Sequence, residues 1–337
     1  MKALVTGASG FIGSTLIEEL DTLGFEVSAL MYQLMSQKPG PKGLEGVKFR
    51  LIEGDLLDDD SLSRSLKDVD YVFHLAELTQ ARHPHRLIDL NIKGTKKLAQ
   101  AILKSKNRPT RLVFVSSLAA AGPALSLKPR VETETESPVS FFGRIKLQAE
   151  KELLKFKGYF PISIVRPPLV YGPRDRAVFF MIQTIARNFM PVLQGSAQDG
   201  HKYYSTIHAQ DFCRGMVQAA VAPASRVPSG EIFFMVGDGM STYQELMGVI
   251  AERLNCDPVR IQIPRVAIKT LAAGLSIAQS VIPRSLSLPM DRLNEVLPDY
   301  WICSNQKAKQ VLGFSPEFDF ASGMAQTIEW YKLQRWI

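Results

Sequence analysis

The sequence predicts an α/β fold: a doubly wound parallel sheet, with a smaller and mostly helical lobe in the C-terminal half. Three observations carry this. The apolar run Ala3-Leu4-Val5 leads into a glycine-rich turn, Gly7-Ala8-Ser9-Gly10-Phe11-Ile12-Gly13. Short apolar runs then alternate with longer stretches of helical periodicity as far as about Gly172. Beyond that point the alternation stops and prolines punctuate the chain. Strands covered by helices on both faces read as continuous apolar runs, and amphipathic helices show apolar residues three and four apart. The boundary is set after Gly172. Residues 1–172 form the sheet domain and 173–337 the lobe, some segments of which return to the sheet.

In chain order, the predicted strands are Ala3–Val5, Val27–Leu30, Tyr71–Phe73, Leu112–Val115 and Ile162–Val165. The predicted helices between them are Phe11–Leu23, Asp60–Leu66, Asn91–Leu103 and Phe142–Phe156. Gln37–Gly46, rich in Pro, Gly and Lys, reads as a surface loop. In the lobe, Phe179–Arg187 and Thr242–Leu254 read as helices between Pro223, Pro228, Pro258, Pro264, Pro283 and Pro289. The longest apolar stretch, Val266–Ile282, is interrupted by Lys269 and Gln279. It is too short and polar to span a membrane, and reads as an amphipathic helix on the core or a shallow membrane contact.

The turn after the first strand needs small residues. Gly7 permits a tight turn, Gly10 admits a pyrophosphate close to the backbone, and Gly13 lets helix and strand pack closely. The helix that follows offers free N–H groups and a partial positive charge to phosphate. A glycine triplet between a strand and a helix therefore points to a dinucleotide.

Composition narrows the class further. The 337 residues are 46% hydrophobic and 22% charged, as in a globular protein. The net charge of +7 is spread along the chain, without a basic run interleaved with aromatics or zinc-finger spacing, so nucleic acid is not expected. Cys213, Cys256 and Cys303 lie far apart and form no framework, which fits a reducing compartment. The start reads as a strand rather than a secretory leader, so a cytoplasmic location is expected. No His/Cys/Asp/Glu grouping has metal-ligand spacing, and no metal is expected.

These features resemble the extended short-chain dehydrogenase/reductase family of epimerases, dehydratases and 3β-hydroxysteroid-dehydrogenase-like reductases. The resemblance runs over nearly the whole chain. It rests on the glycine turn, Gly54-Asp55-Leu56, His74-Leu75-Ala76, Asn91-Ile92-Lys93-Gly94-Thr95, Ser116-Ser117 before Gly122-Pro123, and Arg166 to Asp175. His208 to Asp211, Gly313 to Pro316 and Thr327 to Tyr331 also fit. The resemblance implies a Rossmann domain holding NAD or NADP, with NAD slightly favoured. The implied contacts are Gly7, Ser9, Gly10, Phe11, Ile12, Gly13, Met31, Tyr32, Asp55, Leu56, Leu75, Ala76, Glu77, Asn91, Val115, Lys146, Pro167 and Val170. It also implies a small-molecule substrate, a sugar nucleotide or sterol-like compound, touched by Thr79, Ser117, Arg174 and Tyr203. A homodimer through the helices starting near Asn91 and Phe142 is implied as well.

The family's chemistry uses Ser, Tyr and Lys, the last two as Tyr-x-x-x-Lys on one helix face. Lys lowers the phenol's pKa and bonds the nicotinamide ribose, and the phenol exchanges the substrate proton as hydride moves. Here Ser117 and Lys146 match, but the residue four before Lys146 is Phe142. A phenyl ring exchanges no proton. Three readings stay open: an introduced inactivating change, another proton donor (Ser117, Glu77 or water), or a dinucleotide-holding sensor or scaffold without turnover. Further departures at Met31, Tyr32, Glu77 and Ile145 favour natural divergence. Met31 and Tyr32 stand where an acid or base would separate NAD from NADP. Tyr32 either stacks on adenine or lies exposed, and Glu77 is either a substitute acid or a solvent-facing rim carboxylate. His83 and His85, near Arg82 and Arg86, read as a basic loop. Lys202, Tyr203, Tyr204 and His208 read as packing or substrate contacts.

Overall fold

The structure is a computed structural model that describes residues 1–32, 44, 46–79, 83–196, 199–264, 266 and 294–337. Most of Gln37–Gly46, nearly all of Val266–Ile282, and Arg82 therefore lie outside the described residues.

Seven parallel strands form the central sheet. They are β1 (Lys2–Thr6), β2 (Glu26–Met31), β3 (Arg50–Glu53), β4 (Tyr71–His74), β5 (Arg111–Val115), β6 (Ile162–Arg166) and the strand Glu231–Phe234. Their order is Glu231–Phe234, β6, β5, β4, β1, β2, β3. The winding reverses between β1 and β4, and ligands of open α/β sheets bind in the crevice beyond such a reversal. The glycine turn after β1 and the His74–Glu77 segment after β4 both open into it.

Five strands coincide with the sequence reading and two do not. β3 lies at the sheet edge with Arg50, Leu51 and Glu53 exposed, so it lacks an apolar run. Glu231–Phe234 follows the proline-punctuated stretch and returns to pair with β6. The helix Ala209–Val221 returns as well. Its Phe212 and Met216 pack with Leu16, Ile17 and Leu20 of the helix Phe11–Thr22 on one face of the sheet. The helices Asp59–Ser65, Thr95–Lys104 and Phe141–Leu154 cover the other face through Leu62, Leu98, Ile102, Ala149 and Leu153.

The helix expected from Asn91 begins earlier, at Pro84, where proline suits the first turn. It passes through a π-helical turn at Asp89–Gly94 before continuing as Thr95–Lys104. His83 and His85 thus lie at a helix start, with stacked rings, rather than in a loop.

The lobe has its own core. Val178, Ile182 and Ile185 meet Leu246, Met247 and Ile250, and Met324, Ile328 and Tyr331. These come from the helices Arg176–Ala186, Tyr243–Leu254 and Phe320–Leu333. Three small sheets accompany them, pairing Leu169–Tyr171 with Thr206–His208, Phe189–Leu193 with Val259–Ile263, and Tyr203–Tyr204 with its two neighbours Ser241–Thr242 and Tyr300–Trp301. Among the described residues no helix is long and apolar enough to cross a membrane.

Candidate active site

The glycine turn has the geometry a pyrophosphate needs. Gly7 has φ +74°, and a Cβ there would lie 2.6 Å from the Ala76 amide nitrogen. A Cβ on Gly13 would lie 2.2 Å from the Gly7 carbonyl oxygen. Gly10 is the N-cap of Phe11–Thr22, without a side-chain cap and without an acid in the first turn. The first amides of that helix therefore face outward unmatched by side chains, as an anion requires. Ser9 is exposed here, and Phe11 and Ile12 are half-buried. A dinucleotide fits this cradle. We expect Gly13→Ala to lose about 1–3 kcal/mol of stability through overpacking, and NADH binding with it. Thermal melts and nucleotide titration of the variant check both.

The end of β2 lies beside the cradle. Met31 is buried, with its carbonyl accepting from the Gly54 amide (2.9 Å), whereas Tyr32 is 53% exposed. Asp55 is half-buried and accepts from the Leu57 amide (2.9 Å), and Leu56 is buried.

The segment after β4 is held by a buried polar chain. Thr95 Oγ1 donates to the Asn91 carbonyl (2.7 Å) and so accepts from His74 Nε2 (2.9 Å). His74 Nδ1 then accepts from Thr6 Oγ1 (2.7 Å), which itself accepts from the Ala76 amide (3.2 Å). This network assigns a neutral imidazole protonated at Nε2. Burial, then the Lys146 charge, push His74 down to about 3. Asn91 bridges both backbone groups of Leu78 at 2.8 Å. Leu75 and Ala76 are half-buried and Thr79 is exposed.

Burial likewise lowers His208 to about 4, so both rings gain protons more readily unfolded than folded. Their contribution to stability is complete above about 6.5, the free-histidine value, and is lost as pH falls toward 4 and then 3. Burial raises Asp175 to about 6, which acts oppositely between its ordinary value and about 6. We expect His74→Gln to flatten the fall of the unfolding midpoint below pH 6.5, measured by denaturant titration across pH.

The third group comes from β5 and the helix Phe141–Leu154. Ser140 caps that helix, accepting from the Gly143 amide (2.9 Å) and donating to Glu295 (2.5 Å). Phe142, Lys146 and Glu150 follow at four-residue steps and are buried. Lys146 Nζ donates to the Val115 carbonyl (2.7 Å) and to Glu77 Oε2 (2.9 Å), and lies 4.7 Å from the Phe114 ring centroid. Glu150 is bidentate to Arg166 of β6 (2.9 and 2.5 Å), and Glu136 adds a third contact at 3.1 Å. Ser117 caps Leu118–Ala121, its Oγ accepting from the Ala119 amide (3.1 Å), which leaves its hydrogen to donate. The Pro167 carbonyl accepts from the Leu118 amide (2.8 Å). Val170 lies opposite Ile207 in the next small sheet.

The structure thus brings Gly7, Ala76, Glu77, Lys146 and Val115 into one continuous set of contacts. It engages other expected residues elsewhere. Arg174, with φ +74°, is bidentate to Glu18 of the first helix and lies near the Trp330 ring, so it clasps the lobe to the sheet domain rather than reaching for substrate. Tyr203 donates to Asp199, which pushes its phenol up to about 12, and stacks on Tyr300. Lys202 is buried on the Leu297 and Pro298 carbonyls and Asp299, a packing role. His208 is buried against Phe318. Among the described residues no grouping suits a metal ion. The His74 chain and the Glu150–Arg166 pair were missed in the sequence. Glu150 carried a signal, because it continues the four-residue step of Phe142 and Lys146.

Known proteins share this architecture. The chain is 26% identical to the ceramide reductase of Caulobacter vibrioides, over 99% of this chain and 95% of that protein. It is 27% identical to the 4-hydroxy-2-methyl-3-oxo-4-farnesyl-3,4-dihydroquinoline-1-oxide ketoreductase of Stigmatella aurantiaca, over 96% and 95%. A similar fold is that of a Tyr-to-Phe variant of UDP-glucuronic acid 4-epimerase from Bacillus cereus, in complex with UDP-4-deoxy-4-fluoro-glucuronic acid and NAD. It is 23% identical, with TM-score 0.77, covering 99% of this chain and 100% of that one. The model of the NAD-dependent epimerase/dehydratase family matches residues 3–234, and the chain belongs to that family.

Proposed function

We propose that the protein is an NAD-dependent oxidoreductase acting at a hydroxyl or carbonyl carbon of a lipid-like small molecule, with proton transfer that does not pass through residue 142. The observation that carries this reading is Lys146, buried and fixed on the Val115 carbonyl, with Phe142 one turn earlier on the same helix face. The two relatives named as reductases act, by name, on a ceramide and on a farnesylated quinoline, which supports the lipid-like class.

Nicotinamide, when bound, supplies or accepts hydride. The chain supplies the rest. Gly7 and Gly13 leave room for the pyrophosphate, and the first amides of Phe11–Thr22 would bond it. Lys146 would hold the ribose, Ser117 would donate to the substrate oxygen, and the Phe142 ring would fill the place of the missing acid. Proton exchange then falls to Ser117 or water, so turnover is slow.

A sugar-nucleotide substrate is the second reading, favoured by the fold shared with the UDP-glucuronic acid 4-epimerase variant. NADH consumption with a long-chain lipid ketone, and UDP-glucose epimerisation, separate the two. Slow oxidation of NADH by the ketone with no epimerisation is expected. Epimerisation without ketone reduction would reverse the assignment. A protein that binds NADH and is inert to both is a sensor or scaffold.

A further inference from the structure

The Lys146 ammonium is 2% exposed, and its charge needs compensation in so dry a place. Phe142, one turn earlier on its helix, has no ionisable group to provide it. The Val115 carbonyl and the Phe114 ring contribute only dipole and quadrupole. His74, behind Phe114, is held neutral by its two threonines. The charge that answers Lys146 is Glu77, whose Oε2 lies 2.9 Å from Nζ. Its side chain is 30% exposed, so the pair faces the crevice on one side and the protein on the other.

The position of Glu77 is fixed from both ends. Ala76 is bonded to Thr6 of β1, and Leu78 is bonded twice to Asn91. Gly7 abuts Ala76 so closely that a Cβ would collide there. The carboxylate is therefore held between the pyrophosphate cradle and Lys146, in a segment with little freedom to move away.

Nicotinamide changes charge when it changes oxidation state: the oxidised ring is a cation and the reduced ring is neutral. A lone buried ammonium repels the first and is indifferent to the second. A Lys–Glu pair has no net charge and treats the two more nearly alike. We infer that Glu77 evens out the site's preference between the two oxidation states of the cofactor, by cancelling the Lys146 charge so that NAD⁺ binds nearly as well as NADH does. The inference rests on the cofactor reading given under Proposed function.

Calorimetric titration of the full chain with NAD⁺ and NADH tests it without any substrate. Glu77→Gln removes the charge and keeps the shape. It is expected to raise the ratio Kd(NAD⁺)/Kd(NADH) about tenfold or more, tenfold being the scale of one unit charge acting over about 12 Å at a protein surface. Glu77→Asp is expected to keep the wild-type ratio. Adding Lys146→Met to Glu77→Gln is expected to bring the ratio back, because both charges are then gone. Circular dichroism confirms that each variant is folded. A ratio that stays unchanged in folded Glu77→Gln, while wild type binds both nucleotides, overturns the inference and leaves the cofactor reading standing. A wild-type chain that binds neither nucleotide overturns both.

Discussion

Phe142→Tyr is expected to accelerate hydride transfer about 10²-fold or more, the usual contribution of a positioned general acid or base. The ring already lies on the helix face that carries Lys146, so the substitution adds one oxygen and changes little else. A phenol there stands one helical turn from the lysine and offers a route for the substrate proton, while the Gly7–Gly13 cradle is untouched. The affinity for NADH is therefore expected to stay at the wild-type value, and the gain to appear in kcat with a long-chain lipid ketone and NADH. The new hydroxyl is buried, so a modest loss of stability accompanies it. A variant that binds both nucleotide and ketone yet gains no rate would show that the proton is limited by something other than residue 142.

Glu150→Gln is expected to destabilise the protein by about 3 kcal/mol, because removing one partner of a buried pair strands the other charge. Arg166 and Glu150 are each 1% exposed, and among the described residues Glu136 would remain as the acid hydrogen-bonded to the guanidinium. The pair fastens β6 to the helix that presents Phe142 and Lys146, so its loss is also expected to weaken NADH binding. Replacing both residues by methionine should recover most of the stability, since apolar packing often substitutes well for a buried ion pair. Urea denaturation of the single and double variants measures this. Equal midpoints for wild type and Glu150→Gln would mean that Glu136 alone balances Arg166.

What the sequence disclosed follows from how local its signals are. The glycine turn was legible because its requirements, a left-handed φ at Gly7 and no Cβ at Gly13, are met within seven residues. The five inner strands were legible because strands buried on both faces must be apolar throughout. β3 was hidden by its exposed edge position, and Glu231–Phe234 by the distance from which it returns to β6. Partners distant in sequence could not be read at all. Glu77 stood out only as an odd residue after His74-Leu75-Ala76, and its pairing with Lys146 spans 69 positions. Arg174 looked available for substrate because Glu18, 156 positions away, is brought to it only by the fold.

The central claim is that the chain holds a nicotinamide dinucleotide on the Gly7–Gly13 turn although phenylalanine, not tyrosine, stands four residues before Lys146. Calorimetric titration of wild-type protein with NADH, set beside Gly13→Ala and Phe142→Tyr, tests it most directly. One site per chain is expected in wild type, with equal affinity in Phe142→Tyr and loss of binding in Gly13→Ala. Absence of NADH binding in folded wild-type protein, or undiminished binding in Gly13→Ala, would contradict it.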